Sequence, residues 1–252
     1  MAIVLAAHGA GDGSSVNEAV RERARSLAES GCGEVAVAFH KGTPGFSSVL
    51  STLRSRVVVV VPLMTSRGYY ADVVLPRGLD SDPAFVGKTV CVSMPLGLHP
   101  SVAGLVERRI EVLSQRYSLD APAVAIVGHG TRRHSKSRVS SFELVSTLSG
   151  SRSFGPVSAY FLDDEPPVEE VAGFAADRDL LVVPFLIASG RHVREDLTAR
   201  LGVGETSDEA PLDVRSGVRR ILIDRPVGED PALDALIEEL AGGGPPTCAR
   251  RG

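Results

Sequence analysis

With 252 residues the chain can bury roughly 70 to 75 per cent of the surface its unfolded form exposes, which admits one or two domains with a full core. Lys and Arg number 27 against 31 Asp and Glu, a formal charge of −4, so no basic excess points to nucleic acid or to an anionic membrane surface. The three cysteines, Cys32, Cys91 and Cys248, make no C-x-x-C, and their odd count argues against a disulfide framework, so a reducing cytoplasm is the expected compartment. The apolar run at the N-terminus has no basic flank and ends after seven residues, which reads as a strand and not a signal peptide. No segment approaches the apolar length of about 18 residues that a membrane span requires.

In chain order, residues 3–7 predict a buried strand that ends in His8-Gly9-Ala10-Gly11-Asp12-Gly13. Val16, Ala19, Val20, Ala24 and Leu27 follow at helical spacing. Residues 34–39 form a second strand, closed by His40-Lys41-Gly42-Thr43-Pro44-Gly45, and residues 46–53 fit a short helix. A third strand, 57–61, runs into Pro62 and the loop Gly68-Tyr69-Tyr70. Residues 89–93 make a fourth strand, after which Pro95-Leu96-Gly97-Leu98-His99-Pro100 introduces a long amphipathic helix through Gln115.

The series then starts again. Ala123-Val124-Ala125-Ile126-Val127-Gly128-His129-Gly130 matches Ala2-Ile3-Val4-Leu5-Ala6-Ala7-His8-Gly9 at an offset of 121. The second strands match at an offset of 122, which sets Glu165 opposite Thr43. At the same offset Val182-Val183-Pro184-Phe185-Leu186 matches Val60-Val61-Pro62-Leu63-Met64, and His192 falls opposite Tyr70. Pro226-Val227-Gly228-Glu229-Asp230-Pro231 repeats the Pro-x-Gly-x-x-Pro turn. Four strands in one order with these markers indicate internal duplication, and alternating strands and helices imply parallel sheets with right-handed crossovers. The expected architecture is therefore α/β, with two tandem flavodoxin-like domains of four parallel strands each. The expected boundaries are 1–118 for the first, 119–240 for the second with the active-site histidines, and a disordered tail over 241–252. The acidic segment 202–217 reads as a surface insertion.

Ligands of open α/β sheets bind beyond the carboxyl ends of the strands. In the second half those loops carry His129, then Asp163, Asp164 and Glu165, then His192. Two imidazoles and a carboxylate suit Co, Ni, Fe or Zn, and the same groups can accept protons. The first half offers His8, His40 to Thr43, and Tyr70. Having lost one imidazole and the Glu, it is the poorer metal site, and the second half is the expected catalytic side. Asp163, Asp164, His40, His99 and His134 are expected to be solvated surface groups.

His-Gly after the first strand, Glu-Pro after the second, and Pro-apolar-apolar-x-x-x-Gly-x-His after the third resemble the class II chelatases. The likeness is to two-domain sirohydrochlorin cobaltochelatases and ferrochelatases, and it covers about residues 2–240. The resemblance implies an enzyme that inserts Co2+ or Fe2+ into sirohydrochlorin without ATP, for cobalamin or sirohaem synthesis, with the tetrapyrrole in a cleft between two facing domains. It implies no permanently bound cofactor, the divalent ion being a substrate, and a monomer without nucleic-acid or membrane partners. Residue by residue, it puts the metal-binding and base histidines on His129 and His192, the acid on Glu165, and only His8 in the first half, where Tyr70 departs from the pattern. Metallation exchanges two pyrrolic protons for one dication, so a releasing ligand and a base near neutral pH are both needed, and imidazole serves either purpose. Arg132, Arg133, Arg191 and Arg194 flank the histidine loops and, with Tyr70, are expected to hold the macrocycle through its carboxylates and face.

The alternatives are a non-catalytic metal or tetrapyrrole carrier, or a chelatase-like enzyme with another small-molecule substrate. Other motifs fail. Gly9-x-Gly11-x-x-Ser14 lacks the acidic ribose partner after the second strand, Gly87-Lys88-Thr89 runs into a strand where a phosphate loop needs a helix, and no Gly-x-Ser-x-Gly occurs.

Overall fold

The structure is a computed structural model that describes residues 1–80, 87–132, 136–174, 177–188, 191–203, 211–216, 219–243 and 248–250, without the side chains of Asp80, residues 191–194, Ser216 and residues 248–250. Contacts divide the chain into two compact units, Met1–His99 with Pro231–Gly252, and Pro100–Asp230.

In the first unit β1 (Ala2–Ala7) lies between β2 (Glu34–Phe39) and β3 (Val57–Pro62), and β4 (Thr89–Val92) extends the sheet beside β3, all four parallel. This is the flavodoxin order, 2-1-3-4. All six residues of β1 are buried, as a central strand covered on both faces requires. Helix α1 (Ser15–Glu29) begins at Ser14, whose side chain accepts the Asn17 amide at 3.2 Å, and it buries Asn17, Val20, Ala24 and Leu27, one face at a three- and four-residue spacing. Helix α2 (Phe46–Thr52) follows β2, and a π-helical turn over Tyr70–Val74 leads into α3 (Leu75–Asp80).

Helix α4 (Ser101–Arg116) opens the second unit. Its sheet repeats the plan: β5 (Ala123–Gly128) lies between β6 (Val157–Phe161) and β7 (Leu180–Pro184). Helix α5 (Lys136–Leu148) connects β5 to β6, and α6 (Arg191–Arg200) follows β7. The strand β8 (Leu212–Ser216) forms an antiparallel hairpin with β9 (Arg219–Ile223), which itself pairs parallel with β7. Helix α7 (Leu233–Gly242) and strand β10 (Cys248–Arg250) return to the first unit, β10 pairing antiparallel with β4.

The duplication extends to single hydrogen bonds. The Lys41 amide donates to the His8 carbonyl at 2.7 Å, and the Asp163 amide to the His129 carbonyl at 2.8 Å. Phe39 and Phe161 each donate to the carbonyl of a proline in a cis peptide, Thr43-Pro44 and Glu165-Pro166. The Gly97 amide reaches Met64 O and the Gly228 amide reaches Leu186 O, the equivalent carbonyl 122 residues on.

Four expectations are corrected. Each sheet has four parallel strands as expected, plus an antiparallel edge strand, β10 or β8. The segment 202–217, expected to be a surface insertion, contains the strand β8, in which Leu212 and Val214 pack on the core while Asp213 and Arg215 alternate with them. The tail 241–252 is ordered at Ala241, Gly242 and Cys248–Arg250. Cys91, whose register partner in β10 is Cys248, is disulfide-bonded. Cys32 remains a thiol, which burial and the neighbouring Glu238 carboxylate push up to about 11.

The division at 118/119 differs as well. Helix α4 stays in the second unit because Arg109 pairs with Asp224 at 2.5 Å and lies 3.6 Å from Asp230, all three largely buried. Helix α7 stays in the first through Asp234, which takes Arg23 at 2.5 Å and Ser26 at 3.0 Å on α1, and through Glu239 at 3.4 Å from His99. His99 is accordingly buried, against the expectation of a surface group. Each unit is completed by the helix that the sequence repeat assigns to the other half.

Gly97 and Gly228 are where the Pro-x-Gly-x-x-Pro turns meet the chain leaving β3 and β7. A Cβ on Gly228 would lie 2.0 Å from Ile187 O, and one on Gly97 2.4 Å from the Thr65 Cα. Gly228→Ala is expected to destabilise the protein by about 1–3 kcal/mol through overpacking, whereas Gly104→Ala, on the open side of α4, should stabilise it by about 0.5–1 kcal/mol. Urea unfolding midpoints of the two variants measure the difference.

Candidate active site

The first-strand exit of the second unit is built from a glycine on each side of a histidine. A Cβ at Gly128 would stand 2.8 Å from Ser141 Oγ; Gly130 has φ +69 and its Cβ would meet that of Asp164 at 2.6 Å. Between them His129 is the one side chain with room, and it projects into solvent, 65% exposed. Its Nδ1 lies 3.3 Å from Gly130 O and 3.2 Å from Asp163 Oδ2. Both neighbours are acceptors, so a proton on Nδ1 satisfies them, and in the neutral ring that leaves the lone pair on Nε2.

The loop after β6 supplies three consecutive acids with three different fates. Asp163 is 62% exposed beside His129. Asp164, expected to be solvated, is buried instead: its Oδ1 accepts the Glu165 amide at 2.9 Å and lies 3.6 Å from Arg138 Nη1, so it shapes the loop. The exposed Glu165 accepts Arg132 Nη2 at 2.9 Å.

His192 begins the third loop's contribution. The backbone sets it in the first turn of α6, beyond the carboxyl end of β7, a strand that pairs with β5. Its side chain and those of Arg191 and Arg194 lie outside the described residues, as does Arg133 altogether. The structure thus brings Arg132 to Glu165 and His129 to Asp163. Among the described residues no three His, Cys, Asp or Glu side chains gather as a metal cage.

The equivalent edge of the first unit carries a different set. The rings of His8 and His40 have centroids 5.5 Å apart, and Tyr70 stands 5.5 Å from His8 and 5.3 Å from His40. Tyr70 Oη donates to Ala7 O at 3.3 Å, and burial pushes its phenol well above the ordinary tyrosine range. His40 is exposed, as expected, yet belongs to this cluster. Thr43, opposite Glu165 in the repeat, is held by Asp12: its amide donates at 2.7 Å and its hydroxyl at 3.1 Å. Thr43 thus stands at the position of Glu165, and the carboxylate beside it belongs to Asp12.

Residues 2–113 and again 123–242 match the family model described as CbiX. The chain belongs to the CbiX family. A Halobacterium salinarum relative named "Probable sirohydrochlorin cobaltochelatase" is 33% identical over 218 residues, which cover 78% of this chain and 75% of the relative. The CbiX structure from denitrifying bacteria, described as the terminal enzyme of sirohaem biosynthesis there, superposes with a TM-score of 0.72 at 18% identity, covering 96% of this chain and 98% of that one. SirB from Bacillus subtilis, solved with Fe3+, gives 0.71 at 15% identity, covering 95% and 93%. A multi-domain Deinococcus radiodurans protein similar to chelatases gives 0.74 at 24% identity; this chain is covered to 98% but spans only 55% of that one. At such identities the structures establish a shared fold, and the two CbiX matches establish the repeat. No described helix is long and apolar enough to cross a membrane.

The Arg132–Glu165 pair is solvent-exposed on both sides, and such pairs are worth at most about 1 kcal/mol. Arg132→Ala should therefore leave the unfolding free energy within about 1 kcal/mol of the parent in urea titrations, while removing the cation that holds Glu165.

Proposed function

We propose that this CbiX-family protein is a chelatase that inserts Co2+ or Fe2+ into sirohydrochlorin, with its working edge on the second unit. The observation that carries this reading is the solvent-open His129 imidazole, flanked by two glycines and accompanied by the exposed carboxylates of Asp163 and Glu165, at a strand exit that His192 also borders. The relative of 33% identity supports the substrate, and the first unit's lack of a carboxylate at Thr43 supports the choice of unit.

The reaction removes two pyrrolic protons and seats one dication in the macrocycle, so charge balances without a redox step. His129 presents Nε2 as the lone pair that either receives a proton or holds the incoming metal ion and then releases it. We assign His192 to the other of these two tasks and Glu165 to orienting an imidazole or ligating the ion. Arg132 exchanges Glu165 for a carboxylate of the macrocycle, an exchange that costs little because the existing pair is exposed; Arg133, Arg191 and Arg194 contribute the same chemistry from the adjoining segments. The metal ion is substrate, and the site needs no resident cofactor. We place the reaction in the cytoplasm, with one chain sufficing.

Absorbance spectra of purified protein with sirohydrochlorin and Co2+ test the assignment. Metallation should exceed the spontaneous rate, and His129→Ala and His192→Ala should each lower kcat by about 100-fold or more. A rate unchanged in both variants would leave a carrier that binds without metallating.

A further inference from the structure

The two strand exits share one backbone frame and carry side chains of opposite charge at one equivalent position. In each unit the amide of the second residue past the second strand donates to the carbonyl of the histidine past the first: Lys41 to His8 at 2.7 Å, Asp163 to His129 at 2.8 Å. In each, the histidine Nδ1 faces the carbonyl of the following glycine, at 3.0 Å in His8 and 3.3 Å in His129. The frame thus sets residue 41 or 163 beside the histidine of its unit. In the second unit that residue carries a carboxylate, 3.2 Å from Nδ1; in the first it is a lysine.

The geometry assigns Asp163 as a positioning residue for the reaction, an assignment that rests on the reading of His129 as a site imidazole. In His129 the glycine carbonyl lies 0.3 Å farther from Nδ1 than in His8, and the Asp163 carboxylate supplies the second acceptor that keeps the proton on Nδ1. Nε2 is then the lone pair facing solvent, and the ring is held about its Cβ–Cγ axis. A neutral imidazole without such a partner in water divides between tautomers and rotamers, and in the wrong tautomer Nε2 carries a proton and can neither ligate nor accept. The carboxylate also places a negative charge beside an arriving dication, whereas the equivalent residue of the first unit is a lysine. The charge inversion between Lys41 and Asp163 adds to the replacements at Thr43 and Tyr70 in distinguishing the two units. Asp164 and Glu165, the adjacent acids, cannot replace Asp163: one is buried on Arg138's side of the loop, the other is paired with Arg132.

The test uses the full chain with sirohydrochlorin and Co2+, comparing Asp163→Asn, Asp163→Glu and His129→Ala, together with 15N chemical shifts of the His129 ring in the metal-free protein. Asp163→Asn should lower kcat by about 10- to 100-fold, with a smaller change in the KM for sirohydrochlorin, and Asp163→Glu should recover most of the rate. The ring should be largely Nδ1–H in the parent and shift toward Nε2–H in Asp163→Asn. Asp163→Asn at parental rate, in a protein that His129→Ala inactivates, overturns the role of Asp163 and leaves His129 standing. A slow Asp163→Asn whose tautomer is unchanged and which glutamate fails to rescue reduces the residue to a structural one and equally overturns the assignment. Full activity in His129→Ala removes the reading on which the assignment rests.

Discussion

Two parallel strands that run one residue beyond their last ladder contact fix this site. The hydrogen bond from the Asp163 amide to the His129 carbonyl, 2.8 Å, continues the β5–β6 pairing past Gly128 and Phe161, into the loops where side chains are free to diverge. It sets residue 163 beside residue 129 whatever their side chains are, as its counterpart sets residue 41 beside residue 8. The chemistry at each edge is then a choice of side chain on an invariant frame. That is the general advantage of placing functional groups just outside a rigid sheet: the scaffold supplies the distance and the loop supplies the identity.

The glycines serve the same end. Gly9 and Gly130, at φ +73 and +69, let the chain turn away from the strand immediately after the histidine, and a Cβ on Gly9 would lie 2.0 Å from Lys41 O. No L side chain can take that position without pushing the two loops apart, which would break the cross-loop hydrogen bond. With the frame so tightly held, the units differ chiefly in surface chemistry. The first sets His8, His40 and Tyr70 in mutual ring contact and fastens Thr43 to Asp12. The second keeps an imidazole and two carboxylates open to water.

Much of this was legible in the sequence because central parallel strands are apolar throughout and their exits are marked by glycine and proline. The four-strand order, the repeat offset and the position of His129 all follow from that pattern. The hairpin strand Leu212–Ser216 carried its own signal, an alternation of apolar and charged residues, which the acidic run before it masked. Which of Asp163, Asp164 and Glu165 does what was not legible, since three adjacent acids look alike until burial and Arg138 select the middle one as the loop's anchor. The membership of α4 and α7 was hidden for a deeper reason. A repeat shows which helix descends from which, but only contacts such as Arg109 with Asp224, and Arg23 with Asp234, show where each one settles.

That settlement has a consequence for how the chain is made. The first unit draws on residues at both extremes of the polypeptide, so on a ribosome its sheet emerges early while the helix that covers part of it, α7, is still more than a hundred residues from being synthesised. The second unit, continuous from Pro100 to Asp230, has all its parts in hand first. The first unit's sheet and its last helix are joined only across the whole of the second unit, more than a hundred residues of chain whose loop must be closed before those contacts form.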